Sequence, residues 1–342
     1  MSKKNSTAIL KNRFKDFYDL SSIYQNFEIK LDRLNKKKNL VAVSGGPDSL
    51  ALVALTKSYS IYNKSRFFYA IVDHGIRKNS NLEAKKVKSI LKKQRIHLEI
   101  LTNKKKISKN IQAEARNIRY EILFNYCKKH KIKTLLTAHN LEDQVETFFI
   151  RLSRGSGLKG LSAMKMTRKI KNQITLYRPL LDVKKEYLIK ISKNIFGEYI
   201  KDPSNKNVNY LRTKVRNLKK TLEKSGIKYE QIFRSIQNLS LSKSTLEEYL
   251  NKVFENLIVK SKKEILIDYK EYIKLNNETK MALINESIKQ LKKNYYDLRS
   301  KKVVNLIKRI SERNFKKTTL GGCIFFKKGE NLCLRDEKSI KN

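Results

Sequence analysis

A glycine-rich hexapeptide, SGGPDS, occupies residues 44–49 directly after the apolar run at 39–43. Its two glycines, Gly45 and Gly46, let backbone N–H groups approach phosphate oxygens, and the helix predicted to follow adds partial positive charge. The segment lacks the lysine of a Walker A loop, which reaches the β- and γ-phosphates of a nucleotide. The pattern therefore favours a loop that holds the pyrophosphate part of ATP while attack falls at the α-phosphate.

The other side chains of this loop have matching roles. Ser44 and Ser49 supply hydroxyl donors, and Pro47 suits the first turn of a helix. Asp48 is unsuited to bare phosphate, but its carboxylate suits a Mg²⁺ ion that accompanies ATP. An ordinary turn between a strand and a helix is the alternative that the hexapeptide alone leaves open.

A second polar group lies along the helix predicted from His139 onward. At about 100° per residue, His139, Asp143 and Glu146 fall within about 60° of one another. Leucine, valine and phenylalanine side chains between residues 141 and 152 cluster on the opposite side. We expect this apolar face to pack on the sheet and the polar stripe to begin beside the nucleotide. A solvated helix face is the alternative.

Further candidates flank these two groups. Arg116, Arg119 and Tyr120 stand at positions i, i+3 and i+4 of a predicted helix, and arginines there suit a phosphate clamp or the neutralisation of charge as pyrophosphate leaves. A surface role for Arg116 and Arg119 is the alternative. Asp73 and His74 end the second predicted strand, where the adenosine of ATP would lie.

Strand-like runs alternate with helical patterns over residues 39–217, which predicts an α/β fold with a doubly wound parallel sheet. The candidate strands are residues 39–43, 67–73, 97–102, 133–138 and 174–181. Residues 1–38 are predicted as a basic helical lead-in. No glycine or proline occurs from residue 227 to 320, so residues 218–317 are predicted as a helical domain. A short β-hairpin is predicted within residues 318–342.

The formal net charge is +45, from 77 lysine and arginine against 32 acidic residues. Part of this excess is attributable to the lysine bias of an AT-rich genome, and the remainder calls for a polyanionic partner. No run of 18 apolar residues and no basic helix with aromatic anchors is present, so a nucleic acid is favoured over a membrane. We expect a cytoplasmic protein whose three scattered cysteines form neither a disulfide framework nor a zinc site.

The hexapeptide resembles the pyrophosphate loop of the N-type ATP pyrophosphatases, the PP-loop family. Within that family, further stretches over roughly residues 40–217 resemble the tRNA(Ile)-lysidine synthetases. They are VDHGIR (72–77), NIQAEARNIRYEIL (110–123), TAHNLEDQVETFFIRLSRGSGLKGL (137–161), RPLL (178–181), DPSN (202–205) and YLRTKVRN (210–217).

The resemblance implies ATP-dependent ligation of free L-lysine to C2 of the cytidine at the first anticodon position of tRNA(Ile) with anticodon CAU. An adenylated cytidine is the implied intermediate, and lysidine, AMP and pyrophosphate are the products, which changes codon reading and aminoacylation identity from Met to Ile. The implied catalytic residues are His139, Asp143, Glu146, Arg116 and Asp48. Which of them acts as base, binds lysine or holds metal stays open, as does the choice between monomer and homodimer.

The basic lead-in and the helical domain are the expected grip on tRNA phosphates. Three positions depart from the family pattern: Asn140 replaces a second histidine, Glu142 a common aspartate, and Thr213 an asparagine. A tRNA thiolase of the same fold is the nearest alternative, although it would use paired cysteines and Cys127 alone lies in the predicted catalytic domain. A small-molecule synthetase and an inactive basic RNA-binding protein are the others.

Overall fold

The computed structural model describes residues 18–75, 79–103, 111–170, 174–200, 210–261, 264–292, 298 and 300–337. The chain forms two compact units, residues 1–240 and 241–342. Of the stretches singled out above, residues 76–77, 110 and 202–205 lie outside the described residues, as does the lead-in before residue 18. No helix in the described part of the chain is both long and apolar enough to span a membrane.

The first unit is built on one six-stranded sheet. Its elements are α1 (Tyr18–Leu34), β1 (Lys38–Val43), α2 (Pro47–Tyr62), β2 (Arg66–Asp73), α3 (Ser80–Lys93), β3 (Leu98–Thr102), α4 (Ile111–Lys129), β4 (Thr134–Leu136), α5 (Leu141–Leu152), α6 (Leu158–Leu161), β5 (Thr167–Lys169), β6 (Thr175–Tyr177), α7 (Lys185–Phe196), α8 (Leu211–Lys224) and the start of α9 (Tyr229–Leu257).

The strand order is β3-β2-β1-β4-β6-β5, and every pair is parallel except β5 with β6. The predicted α/β fold with a parallel sheet is confirmed, while the antiparallel edge strand β5 was not anticipated. The order reverses between β1 and β4, and ligands of open α/β sheets bind outside the carboxyl ends of the strands at such a point.

Helices cover both faces of this sheet. On one face, α2, α3 and α7 bury leucine and valine side chains against Val41 and Val43 of β1. On the other face, α4 packs Leu123 and Cys127 against Leu40 of the same strand. Because β1 is buried on both sides, its sequence is a continuous apolar run rather than an alternating one.

The helical lead-in belongs to the same core as the sheet. Leu20, Tyr24, Phe27 and Leu31 recur every three or four residues on α1, and all four are buried in the cluster that contains β1. The Tyr177 hydroxyl of β6 also donates to the Lys30 carbonyl at 2.8 Å. The first unit therefore begins well before residue 39, where the catalytic domain was predicted to start.

The apolar face of α5 packs on helices, so its predicted packing on the sheet is wrong. Leu141 and Val145 form one buried cluster with Tyr229, Ile232 and Ile236 of α9. Through these contacts, the first turns of α9 pack as part of the first unit. They explain why that unit extends to residue 240 rather than to the predicted boundary at 217.

The second unit contains a five-stranded antiparallel sheet of order β7-β8-β11-β10-β9. Its elements after α9 are β7 (Ile258–Lys260), β8 (Glu264–Asp268), α10 (Tyr269–Lys274), α11 (Asn277–Leu291), α12 (Ser300–Ile310), β9 (Lys317–Leu320), β10 (Cys323–Lys328) and β11 (Asn331–Asp336). The prediction of an all-helical segment over 218–317 is therefore wrong at β7 and β8. The two predicted tail strands are present as β10 and β11, but they join a larger sheet.

Candidate active site

The glycine-rich loop connects β1 to α2 and is braced from two sides. Gly45 has φ +80°, and a Cβ there would collide with Val87 of α3 and crowd Ile200, so only glycine fits. The Ile200 amide donates to the Gly45 carbonyl at 2.9 Å. Inside the loop, the Ser44 amide donates to Ser49 Oγ at 3.2 Å. Gly46 is the N-cap of α2 and Pro47 follows in its first turn, as the sequence predicts.

Asp48 has the features of a cation ligand. Its Oδ1 atom is buried and has no hydrogen-bond partner among the described residues. The pKa of this carboxyl is raised to about 6: burial is the main cause, the charges of Asp143 and Glu142 add to it, and the charge of Lys185 acts in the opposite direction. A carboxylate that is costly to bury alone becomes favourable beside a divalent ion. The described residues hold no group of three or more metal-ligating side chains, so phosphate oxygens and water would supply the remaining ligands.

His139 lies at the carboxyl end of β4 and hydrogen-bonds Thr137, with 3.0 Å between Nδ1 and Oγ1. Burial lowers its pKa well below the ordinary value of 6.5, and four positive guanidinium groups lower it further. They belong to Arg178, Arg116, Arg212 and Arg119. The imidazole is therefore neutral at neutral pH, within a cationic part of the site.

Two carboxylates of α5, those of Asp143 and Glu146, are bound to arginines of α8. Arg212 donates through Nη2 to Asp143 Oδ1 and through Nε to Glu146 Oε2, both at 2.6 Å. Arg216 donates through Nε to Glu146 Oε1 at 2.7 Å. The Glu146 side chain is only 2% exposed, against 20% for Asp143. Glu146 therefore orients two arginines, while Asp143 still reaches the site.

Two of the three departures from the family pattern have structural partners at the start of α5. Asn140 caps the helix: its side chain accepts from the Asp143 amide at 2.9 Å, and Asp143 Oδ2 accepts from the Asn140 amide at 3.1 Å. Glu142 accepts from the Lys185 amide at 2.8 Å and from Lys219 Nζ at 3.3 Å.

One pocket brings the loop and α5 together. Its polar lining is Ser44, Asp48, Ser49, Thr137, His139, Asp143, Arg119, Tyr120 and Arg212. Its apolar lining is Ala42, Val43, Ala70, Val72, Leu123 and Ala138. The small side chains of β1 and β2 open space between the sheet and α4, which gives a slot with polar walls at one end.

Several predicted site residues lie outside this lining. Glu146 binds Arg212, and it is Arg212 that lines the pocket. Arg116 lies over the Tyr120 ring, with its guanidinium carbon 5.1 Å from the ring centroid. Asp73 accepts from the Gly75 amide at 3.0 Å and so shapes the turn after β2. His74 follows it, and its carbonyl accepts from Asn103 at 3.2 Å.

Sequence reasoning gave no site role to Arg212, Arg216 or Lys185. A signal for the two arginines was present: they stand four residues apart on α8, and the carboxylates of α5 stand three apart, so each pair lies on one helix face. Nothing in the sequence indicated that α5 and α8 are neighbours.

Comparison with known proteins identifies the family of this chain. The model of the PP-loop domain family matches residues 18–222. A curated tRNA(Ile)-lysidine synthase of Wolbachia pipientis wMel is 33% identical over 94% of this chain and 75% of its own length. That of Rickettsia typhi is 30% identical over 92% and 74%.

Among solved structures, the U34-tRNA thiolase NcsA of Methanococcus maripaludis superimposes with a TM-score of 0.55. It is 20% identical, and the match covers 65% of this chain and 79% of the thiolase, so the likeness concerns the fold. The family model begins at the first residue of α1, which agrees with the packing of that helix into the core. The chain belongs to the tRNA(Ile)-lysidine synthase family of PP-loop proteins.

Proposed function

We propose that the protein uses ATP to ligate free L-lysine to C2 of the cytidine at the first anticodon position of tRNA(Ile) with anticodon CAU. The observation that carries this proposal is the pocket in which the SGGPDS loop faces His139 and Asp143. It occurs in a chain related along nearly its whole length to tRNA(Ile)-lysidine synthases. ATP use follows from the PP-loop domain, and the tRNA, lysine and metal are parts of the proposal.

ATP is placed with its pyrophosphate on the loop at 44–49. The backbone N–H groups at the start of α2 and the hydroxyls of Ser44 and Ser49 would donate to phosphate oxygens. Asp48 would hold Mg²⁺, which supplies charge neutralisation to the phosphates when bound. The adenosine would extend toward the carboxyl ends of β1 and β2.

The first half-reaction joins the C2 oxygen of cytosine to the α-phosphorus of ATP. The bond from that phosphorus to the bridging oxygen of the β-phosphate breaks, and pyrophosphate leaves with the electron pair. Arg119 and Arg212 line the pocket and would stabilise the negative charge that develops on the phosphates. Cytosine must leave its stack to reach them, which is the usual solution for enzymes that modify a base.

In the second half-reaction, the ε-amine of lysine attacks C2 and AMP departs. A free lysine amine has a pKa of about 10.4, so the neutral form at pH 7.4 costs about 4 kcal/mol. The arginines that lower the pKa of His139 would disfavour an ammonium in the same way, and so favour the neutral nucleophile. Asp143 and neutral His139 are the pocket groups able to accept the proton.

The second unit and the lead-in are proposed to hold tRNA phosphates. In the second unit, α12 buries Val303, Leu306, Ile307 and Ile310 and exposes a basic face. That face consists of Lys301, Lys302, Lys308 and Arg309, on a helix without an acidic residue. Such a surface binds a polyphosphate backbone without reading bases. The proposal includes a cytoplasmic location, because the reaction depends on ATP and tRNA.

The thiolase alternative is disfavoured by the three thiols. Cys127 is buried in the core behind the sheet, and burial raises the pKa of its thiol to about 12. Burial also raises the pKa values of Cys323 and Cys333 to about 11. A sulfur carrier needs an accessible thiolate, and none of these three cysteines provides one.

The deciding experiment is mass spectrometry of nucleosides from tRNA(Ile) transcript incubated with the protein, ATP and lysine. We expect cytidine to gain the mass of lysine less water, with AMP and pyrophosphate formed in equal amounts. Omission of lysine should leave adenylated tRNA. A sulfur-sized shift, or no shift with tRNA bound normally, would contradict the proposal.

A further inference from the structure

The loop that faces ATP has no lysine of its own, yet a lysine reaches it from another part of the chain. Lys185 Nζ lies 3.8 Å from Asp48 Oδ2, and both side chains are partly shielded from solvent. Lys185 opens α7, more than 130 residues after the loop in sequence. Its ammonium therefore stands beside the residues that would hold pyrophosphate.

The backbone of α7 is held by α5 at its start and by the glycine-rich loop just after its end. At its start, the Lys185 amide donates to Glu142 of α5 at 2.8 Å. Just after its end, the Ile200 amide donates to the Gly45 carbonyl at 2.9 Å. Between them, Leu188 and Ile191 are fully buried in the core that α7 shares with α2. The attachment point of the lysine side chain is therefore held rigidly.

The ammonium of Lys185 has hydrogen-bond donors that are not used within the described residues. At 3.8 Å its contact with Asp48 is an ion pair beyond hydrogen-bond distance. No hydrogen bond from its Nζ is present within the described ranges, although the group carries three donors. A cation at the first position of a helix is also disfavoured by the helix dipole, so its placement needs a compensating negative charge. Asp48 supplies part of it in the free protein.

We propose that Lys185 binds the β- and γ-phosphates of ATP and the departing pyrophosphate, as the lysine of a Walker A loop does. This inference rests on the proposed function, since it assigns that lysine a phosphate partner. During adenylation the bond between the α-phosphorus and the bridging oxygen breaks, and its electron pair stays on pyrophosphate. Lys185 neutralises that charge without gaining or losing a proton. Glu142 acts through Lys185 as a positioning residue.

The neighbouring lysine offers a matched control. Lys184 lies at the same helix end but pairs with Glu230 at 2.5 Å. Lys184→Gln and Lys185→Gln therefore make the same charge change one residue apart. Calorimetric titration with pyrophosphate and with AMP, each with Mg²⁺ and without tRNA or lysine, separates the β/γ-phosphate site from the rest.

We expect Lys185→Gln to weaken pyrophosphate binding about tenfold or more, as the loss of a charge-assisted bond does. AMP binding should stay within about twofold, because AMP lacks the phosphates concerned, and Lys184→Gln should change neither affinity. Lys185→Arg should recover most of the pyrophosphate affinity. With tRNA present, Lys185→Gln should slow ATP–pyrophosphate exchange about 100-fold.

Equal pyrophosphate affinity in the two glutamine variants would overturn the inference. So would an equal loss of AMP and pyrophosphate affinity in Lys185→Gln, or a wild-type protein that does not bind pyrophosphate. The titrations need neither tRNA nor lysine. If no lysidine forms but the contrast between the variants holds, the proposed function fails and the phosphate role of Lys185 stands.

Discussion

Replacing Glu146 with glutamine tests whether the ion pairs between α5 and α8 hold the site together. Glu146 accepts two short charge-assisted hydrogen bonds, at 2.6 and 2.7 Å, and a longer one at 3.2 Å. Each short bond is worth about 1.5–3 kcal/mol when a charge is involved. Arg212 and Arg216 retain 41% and 34% exposure and would regain water, so we discount the total loss to about 2–3 kcal/mol.

For a unit of this size, about 1 kcal/mol corresponds to about 2–4 °C, so the melting temperature should fall by about 5–10 °C. Thermal and urea unfolding followed by circular dichroism would measure it. Glu186→Gln is the control, because Glu186 is 61% exposed and its contact with Lys184 is 3.9 Å. That variant should change stability by less than about 0.5 kcal/mol. If the two variants were equally stable, the ion pairs of Glu146 would contribute nothing measurable.

The same variant separates two roles for this carboxylate. Because Arg212 runs from Glu146 into the pocket, we expect Glu146→Gln to slow formation of adenylated tRNA as well as lysine transfer. Quenched-flow measurement of AMP transfer to tRNA, with and without lysine, gives both rates. Normal adenylation with accumulation of adenylated tRNA would instead assign Glu146 to the lysine step alone.

Three further results are expected. Burial raises the pKa of Asp48 from 3.8 to about 6, so ionisation of this carboxyl lowers folded-state stability progressively between pH 3.8 and 6, with the full loss present above pH 6. Metal-free Asp48→Asn should therefore match wild type below pH 3.8 and be more stable at pH 7.5 by roughly 2–3 kcal/mol in urea unfolding. The same variant should lose adenylation. The lowered pKa of His139 means that wild-type stability falls as pH drops below 6.5, and His139→Gln should remove that part of the slope of melting temperature against pH. A chain ending at residue 240 should fold, and its tRNA affinity should depend less steeply on salt than that of the full-length protein, for which the slope of log K against log salt should be several units. A chain ending at residue 217 should unfold more readily, because it lacks Tyr229 and Ile232. Equal salt slopes would contradict the first expectation, and equal stabilities would contradict the second.

The sheet of the first unit could be predicted because its strands are short apolar runs separated by helical patterns. Burial on both faces makes such runs conspicuous, and β1 to β3 lie within one residue of their predicted limits. Periodicity identifies the apolar face of a helix but not what covers it. For that reason the sequence pattern predicts a separate lead-in at α1 and packing of α5 on the sheet, whereas α1 belongs to the core of the first unit and α5 packs on helices. β7 and β8 pair antiparallel, and the Ser261 amide donates to the Glu264 carbonyl beside them, so the absence of glycine did not exclude two adjacent strands.

The candidate site likewise has one part that could be predicted from sequence and one part that could not. The SGGPDS loop contains its candidate groups within six consecutive residues, so its position after β1 and the prediction that it binds phosphate both follow from sequence. The partners of the acidic residues in the candidate site come from distant segments: Lys185 of α7 pairs with Asp48, and Arg212 of α8 pairs with Asp143. Complementary charge spacing on two helices is compatible with many pairings. Only the packed fold selects one of them.

The departure at residue 140 has a physical meaning that the family comparison alone did not supply. Asparagine is among the best N-cap residues, and Asn140 exchanges two hydrogen bonds with Asp143 at the start of α5. One oxygen of Asp143 is thereby committed to the helix start, and the other binds Arg212. The carboxylate is held in a single orientation at the pocket wall. Asn140 itself is 1% exposed and carries no titratable group, so it supplies no acid or base at this wall.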